Sequence, residues 1–441
     1  MLRVPSRQSL AGWLVAGFLV WSCSSNPGAS DGGAGTHSAG NGGASAGMAG
    51  GSIPLGGMSN QAGDGSSAAG SGGEQSGGSA GRSNENGGAA PGGMGTGAQS
   101  GAGASGASEG GAAGSDEFPP DYDGHCGQGW AAGDSAPLPG LNGTVTPLVD
   151  SSGNWTFAFG RYRLVVAGAQ GARVIEFSLD GNNLIDATGG STFWPSPQQA
   201  YTWPPPAEID TAAYTAETDA GSLSLSSKTA TTLGLSVHKR FSVNEKSGIV
   251  SIQYQLTNQS AQSASWAPWE VTRVRAGGYT FAPRGPGNRT ITEDSFQNPL
   301  PLSLLPPPPA TEAIAWLDYP GVGATLTKDN YIAEFDGAEG WLAHANRFGK
   351  KLLPVLLVKS FVDAADENLP TNQAEIQLWT SGTASPKLIE VEEQGALTLL
   401  APGASLTWTV HWSACELASS SLLSAGNLEL VALARAHAVK P

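Results

Sequence analysis

Residues 250–257 have the sequence VSIQYQLT, in which apolar and polar side chains alternate without interruption. Successive side chains of a β-strand point to opposite faces, so this period of two predicts a strand with one buried face and one solvated face. Residues 235–243 (LSVHKRFSV) and 406–412 (LTWTVHW) show nearly the same alternation. Together the three segments predict an antiparallel β-sheet.

Similar segments occur along most of the C-terminal part of the chain. The further strand candidates are 157–166, 174–179, 223–226, 269–274, 313–317, 354–361, 376–380 and 388–391. Only 419–439 has a helical pattern, with serines suited to the N-cap position. At least ten strands and one C-terminal helix predict an all-β sandwich, and they exclude a transmembrane bundle and a coiled coil.

Composition separates the chain into unlike parts. Residues 24–117 contain 32 of the 63 Gly and not one Phe, Trp or Tyr. A segment without large apolar side chains cannot offset the entropy of ordering itself, so it is predicted to be a disordered linker. As a flexible coil it would span roughly 50–60 Å end to end. The predicted organisation is a signal peptide at 1–23, the linker at 24–117 and a β domain at 118–441.

The first 23 residues are typical of a targeting signal. Arg3 and Arg7 precede an apolar run from Leu10 to Trp21, which is short for a membrane span. The ending Val-Trp-Ser-Cys resembles a bacterial lipoprotein signal, in which cleavage leaves Cys23 as the lipidated first residue. By the same resemblance, Ser24 favours the outer membrane of a two-membrane cell. Plain secretion is the alternative, and Cys23 is the only predicted membrane contact.

Cys126 and Cys415 remain once Cys23 is assigned to a lipid. An even pair in an oxidising compartment predicts a disulfide, here between the two ends of the folded region. Two buried free thiols are the alternative.

Charge and motifs restrict the partners. The part from residue 118 onward has 19 basic and 30 acidic side chains, a net charge of −11. That field repels nucleic acid and anionic polymers, so a neutral or cationic ligand is expected. The six His are scattered without metal-binding spacing, and no nucleotide-binding or nucleophile motif occurs. We therefore expect no metal and no cofactor.

Aromatic residues and prolines are concentrated in 193–206 (FWPSPQQAYTWPPP). The prolines predict an extended loop rather than a central strand. Such a loop can display Trp194 and Trp203, flanked by Gln198 and Asp210, as stacking surfaces and hydroxyl partners for a sugar ring. The alternative is that these indoles plug the core.

Two other segments carry candidate binding or catalytic groups. In 266–274 (WAPWEVTRV), Trp269 and Arg273 are predicted on one strand face and Glu270 on the other, with a structural salt bridge as the alternative. In 388–393 (LIEVEE), Glu390 and Glu392 are predicted to share the face opposite the apolar residues. Two carboxylates on one face repel, and in a cleft one of them acquires the raised pKa that proton transfer at neutral pH requires. Solvent exposure is the alternative.

The succession of RVIEFSLDGNNLI, FWPSPQ, WPPP, KRFSV, VSIQYQLTN, APWEVTRV and IEVEE…LAPGASLTWTVHW resembles an uncharacterised bacterial family, domain of unknown function 4380. That family belongs to the galactose-mutarotase-like superfamily, so the resemblance implies a large antiparallel β-supersandwich. It covers roughly residues 155–412, and FWPSPQ and APWEVTRV are its most specific pieces.

The resemblance also implies where catalysis would occur. Aldose mutarotases carry a catalytic Glu on a late strand before a Leu-x-Pro-Gly stretch, and Glu390 or Glu392 stands in the similar place before 400–403 (LAPG). They also use a His acid within a mid-chain motif that is absent here. His344 and His238 are the available histidines.

Two classes of function follow. The first is a surface-tethered lipoprotein whose cleft, rimmed by Trp194, Trp203 and Trp269, binds a neutral glycan. The second is an enzyme on sugars, either an epimerase or a polysaccharide hydrolase or lyase, with Glu390 or Glu392 as acid/base. An enzyme requires a second titratable group beside that Glu, and His238, His344, Asp210 and Glu270 are the candidates.

Overall fold

The computed structural model describes residues 123–127, 143–287, 298–305 and 313–439. The chain divides into two units, Met1–Gly106 and Ala107–Pro441, and every described residue belongs to the second. The predicted signal peptide, linker and lipidation site at Cys23 lie outside the described residues. None of the described helices has the length and apolar character needed to cross a membrane.

Two large, mostly antiparallel sheets dominate the described residues, which confirms the predicted all-β sandwich. Sheet 1 contains, in spatial order, β1 (Leu148–Val149), β2 (Asn154–Phe159), β3 (Tyr162–Ala167), β4 (Arg173–Leu179), β6 (Ser191–Ser196), β11 (Ala264–Arg275), β20 (Leu388–Gln394), β19 (Ile376–Thr380), β16 (Tyr331–Phe335) and β13 (Asn298–Pro299), with β5 (Asn182–Asn183) beside β4 and β21 (Thr398–Leu400) beside β11. Sheet 2 contains, in spatial order, β14 (Ser303–Leu305), β15 (Ile314–Asp318), β12 (Tyr279–Pro283), β17 (Trp341–Phe348), β18 (Leu353–Ser360), β22 (Ser405–Glu416), β10 (Ile249–Asn258), β9 (Leu235–Asn244), β8 (Ser222–Ser226) and β7 (Thr215–Asp219). Within the described ranges only β13 and β16 pair in parallel.

The main hydrophobic core lies between the two sheets, and the alternation seen in the sequence decides which side chains enter it. Ile252, Tyr254 and Leu256 of β10 are buried there, and the polar residues between them point away. Phe193 of β6 stacks on Tyr254 with ring centroids 4.2 Å apart, which joins sheet 1 to sheet 2. Aromatic contacts of this kind add to the free energy of burial.

The C-terminal helix α3 (Leu428–His437) covers the other face of sheet 2 and buries Leu430, Val431 and Ala434 in a second core. It is shorter than the helix predicted at 419–439. Gly426 has a φ of 75°, a left-handed conformation that ends any continuous right-handed helix before it. The helix therefore begins after Asn427, whose side chain accepts a hydrogen bond from the Leu430 N–H. The described residues also include two single-turn helices, α1 (Ala207–Asp210) and α2 (Tyr319–Val322).

A disulfide joins Cys126 to Cys415, two residues 289 positions apart in the sequence. The Cys126 N–H donates to the Glu416 carbonyl at 2.9 Å, so the segment 123–127 is also held against the end of β22 by its backbone. His437 lies close to both sulfurs, and these three are the only group within the described ranges with the spacing of a metal site. Both sulfurs are consumed by the disulfide.

The predicted extended loop at 193–206 is wrong for its first residues. Ser191–Ser196 form β6, an interior strand of sheet 1. Pro195 is paired in register with Pro268 of β11, and neither of these two facing residues has an N–H to donate. In an antiparallel ladder, every second pair of facing residues exchanges no backbone hydrogen bond. Two prolines can occupy such a pair without loss of a hydrogen bond between the two strands. On its other side β6 pairs with β4 only at Ser191, so the imide of Pro195 interrupts no ladder.

Candidate functional site

Five neighbouring strands, β6, β11, β20, β19 and β16, turn polar and aromatic side chains away from sheet 2. We call this surface the outer face. In β20, Ile389 and Val391 are part of the core between the sheets, so Glu390 and Glu392 lie on the outer face. The structure thus places these two carboxylates together.

Strand register arranges the outer face in three rows. The first row contains Trp194, Trp269 and Gln394; the second contains Thr192, Val271, Glu392, Gln377 and Glu334; the third contains Arg273, Glu390, Trp379 and Ile332. Side chains directly opposite each other on an antiparallel pair lie within contact distance. Of the candidates from the sequence, the outer face therefore brings together Trp194, Trp269, Arg273, Glu390 and Glu392.

Arg273 is the cation of the outer face. Its guanidinium forms an ion pair with Glu390 at 2.8 Å and lies over the Trp194 ring, 5.4 Å from the ring centroid. Both side chains of the pair are about 15% exposed or less, so they remain accessible while being largely desolvated. Gly189 makes room for the guanidinium, because a β-carbon there would lie 2.0 Å from Cδ of Arg273.

Glu392 is the most buried carboxyl of the outer-face rows, at 4% exposure. Burial raises its pKa well above the usual value, and repulsion by Glu390 and Glu334 raises it further. The Trp269 indole donates a hydrogen bond to Oε2 of Glu392 at 2.9 Å, which only partly opposes this rise. The raised pKa favours the protonated form of Glu392, which is the form that can donate a proton.

The three predicted stacking indoles have different surroundings. Trp194 and Trp269 are each 4% exposed, whereas Trp203 is 41% exposed and packs edge-on against Trp194 at a centroid distance of 5.0 Å. The Trp194 indole also donates to Oδ1 of Asp210 at 2.8 Å, and Asp210 pairs with Arg173. Trp194 and Trp269 therefore fill space, as the core-plug alternative expects, whereas Trp203 reaches solvent, and its stacking on a sugar stays a prediction.

The loop 197–206 follows β6 and carries Gln198, Tyr201 and Trp203. The Gln373 side chain holds its beginning by accepting hydrogen bonds from the Ser196 hydroxyl at 2.6 Å and from the Gln198 N–H at 3.0 Å. Gln198 is half-buried. Its backbone, rather than its side chain, makes this contact.

Glu270, predicted as a ligand-binding residue, lies inside the sandwich, on the face of β11 opposite Arg273. Its carboxylate forms an ion pair with Lys359 of sheet 2 at 2.8 Å and accepts hydrogen bonds from Tyr254 and from Trp412. The same ammonium pairs with Glu393 at 2.6 Å, and Glu270 and Glu393 are directly opposite in register. We call Glu270, Glu393 and Lys359 the inner cluster; all three are at most 1% exposed.

The inner cluster is close to electrically neutral. Burial raises the pKa of Glu393 well above its usual value, and the neighbouring Glu270 adds to the rise. Burial also opposes ionisation of Glu270, but the Lys359 ammonium and the hydrogen bonds that Glu270 accepts hold its pKa below the usual value. Two carboxyls with opposite pKa shifts therefore share one Lys359 ammonium, which keeps the net charge low, as a low-dielectric interior requires.

His344 does not join the outer face. It lies on β17 in sheet 2, fully buried, where its ring contacts the Thr280 hydroxyl at 2.9 Å and the Asn346 amide. Burial lowers its pKa to about 3. The predicted role of His344 as an acid beside Glu390 or Glu392 is therefore not supported by its position, and His238 on β9 is likewise in sheet 2.

Two outer-face residues were missed from the sequence. Glu334 lies directly opposite Gln377, which in turn lies directly opposite Glu392. Burial raises the pKa of Glu334 to about 7. Trp379 is half-buried and lies directly opposite Glu390. The alternation in 331–335 (YIAEF) and 376–380 (IQLWT) is the signal that could have found both residues. In each segment it predicts which side chains point away from the core, and Glu334 and Trp379 are among them.

Comparisons with known proteins give similarities of fold only. No family model and no curated protein matches the sequence. Among solved structures, a galactose mutarotase-like protein from Lactobacillus casei is 13% identical with a TM-score of 0.38, over 59% of this chain and 100% of that chain. A galactose mutarotase related enzyme from Lactobacillus acidophilus is 9% identical with a TM-score of 0.40, over 59% and 97%.

Proposed function

We propose that the outer face of sheet 1 binds a neutral saccharide. The observation that carries the proposal is the third row of the face, where the half-buried Trp379 lies beside the Arg273–Glu390 ion pair. A sugar ring requires an apolar surface for its C–H groups and charged or polar groups for its hydroxyls, and this row offers both side by side. The net acidic charge of the chain disfavours an anionic polymer as the ligand.

Replacing Trp379 by Ala is expected to weaken saccharide binding by roughly 1–3 kcal/mol, because the ring loses its apolar stacking surface. A glycan array on the full chain identifies the ligand, and calorimetry measures the affinity of each variant. Trp155→Ala is the matched control, because Trp155 is also a half-buried indole of sheet 1 but lies on β2, outside the outer face. Equal losses in the two variants, or no glycan bound by the native chain, would contradict the proposal.

An epimerase-like activity on sugars is the second candidate, and the buried Glu392, with its raised pKa and its hydrogen bond from Trp269, favours it. Glu334, whose pKa is about 7, is the neighbouring group best suited to accept a proton. Glu392→Gln is expected to reduce any exchange between sugar anomers by at least 100-fold, as measured by nuclear magnetic resonance, while leaving binding within threefold of native. A native chain that binds the sugar without accelerating exchange would limit the function to binding.

The finer assignments remain predictions. The lipid anchor at Cys23 and an outer-membrane location depend on the lipoprotein-like signal, and fatty-acid labelling of the native chain against Cys23→Ala would decide them. Membership in the domain of unknown function 4380 family depends on the segments FWPSPQ and APWEVTRV.

A further inference from the structure

Three buried polar atoms near Glu392 have no hydrogen-bond partner among the residues that the structure describes. They are the Tyr201 hydroxyl and both amide atoms, Oε1 and Nε2, of Gln394. Gln394 is completely buried, yet its side chain forms no hydrogen bond with any part of the chain that the structure describes. Because unpaired buried polar groups are costly and rare in folded proteins, each one demands a physical explanation.

The three atoms belong to one part of the outer face. Gln394 is directly opposite Trp269 and lies two residues after Glu392 on the same face of β20. Tyr201 belongs to the loop 197–206; besides burial, the carboxylates of Asp210 and Glu392 raise the pKa of its hydroxyl, which places that hydroxyl near both. Gln394 and Tyr201 therefore approach Glu392 from the strand and from the loop.

We propose that Tyr201 and Gln394 bind the saccharide directly, by hydrogen-bonding two adjacent ring hydroxyls. An amide presents one acceptor and one donor side by side, which matches a vicinal diol that donates from one hydroxyl and accepts at the next. The Tyr201 hydroxyl supplies a further donor. This proposal rests on the saccharide-binding function above and names the residues that would select the sugar.

Access of a ligand to the buried Tyr201 hydroxyl requires a movement of its side chain or of the loop 197–206. The atoms are closed to solvent, and Tyr201 itself lies on the loop 197–206, which also carries the exposed Trp203. On this proposal the loop 197–206 opens to admit the ligand and closes again over it, so that the Tyr201 hydroxyl contacts the bound sugar. Sugar hydroxyls would then form hydrogen bonds with the Tyr201 hydroxyl and the Gln394 amide, which have no partner among the described residues of the free protein.

The test uses Tyr201→Phe and Gln394→Met in the full chain, with D-glucose, D-galactose and D-mannose as probes. Neither substitution removes a hydrogen bond seen within the described ranges, so the melting temperature should stay the same or rise. Affinity for whichever probe the native chain binds should fall at least tenfold in each variant. Calorimetry and thermal unfolding are the two measurements.

Tyr214→Phe is the matched control. The Tyr214 hydroxyl is also buried but donates to the Ile209 carbonyl at 2.7 Å, so its loss should lower the melting temperature and leave affinity unchanged. A fall in melting temperature for Tyr201→Phe and Gln394→Met, or unchanged affinity, would show that the two residues are structural and overturn the inference alone. If the native chain binds none of the probes, the proposed function fails together with the inference.

Discussion

Replacement of Lys359 by Met is expected to lower the free energy of unfolding by about 3–5 kcal/mol. Lys359 supplies the only cation of the inner cluster, and it also donates a hydrogen bond to the Thr272 hydroxyl at 2.7 Å. Without it, Glu270 and Glu393 face each other in register inside the sandwich with no counter-charge. Urea unfolding of the native chain and the variant measures the difference.

The pH dependence of this loss follows from the same carboxyls. In the variant, burial without the ammonium raises the pKa of Glu270 in the folded protein above its unfolded value. A carboxyl with a raised folded pKa contributes its full stability below the unfolded pKa and loses it as the pH rises, so the deficit should be larger at pH 8 than at pH 5. Lys350→Met, at an exposed lysine, should change stability little at either pH. A loss from Lys359→Met no larger than that of Lys350→Met would show that the inner cluster does not need its cation.

Loss of the Cys126–Cys415 disulfide is expected to lower the free energy of unfolding by roughly 5 kcal/mol on the chain-entropy estimate. The bond closes a loop of 289 residues, so it strongly restricts the unfolded chain. In the folded state it adds to the backbone hydrogen bonds that join Gly124 and Cys126 to Glu416 of β22. The variant to compare with the native chain is Cys126→Ala combined with Cys415→Ala.

Reduction provides the control for that variant. A reducing agent should destabilise the native chain by a similar amount and leave the double variant unchanged. Mass analysis of the unreduced native chain should find no free thiol at either position. Two free thiols there would contradict the bond itself.

Much of the fold is predictable because its signal is local. The alternation in 250–257 is enough to predict β10 and to assign its buried face, since the side-chain period of a strand does not depend on its partners. The same rule correctly separates Glu390 and Glu392 from the core residues of β20. The rule that proline excludes an interior strand fails at β6, because Pro195 fits there through its pairing with Pro268, a residue 73 positions away.

Much less of the candidate site could be predicted. Alternation shows that Glu270 and Arg273 point to opposite faces of β11, but it cannot show which face meets sheet 2. A charged residue is normally expected on the solvated side. Glu334 and Trp379 were missed because nothing near them in the sequence indicates that their strands lie beside β20.

The amino-acid sequence by itself determined which side chains share a strand face, the all-β class and the cysteines available to form a bridge, because each depends on composition or on a period of two. Only the tertiary structure decided that Glu270 belongs to the interior. Its charge is tolerated there because Lys359 and Tyr254 reach it from sheet 2. Such partners are distant in the chain, and the energy of burying a charge depends on which partners surround it after folding.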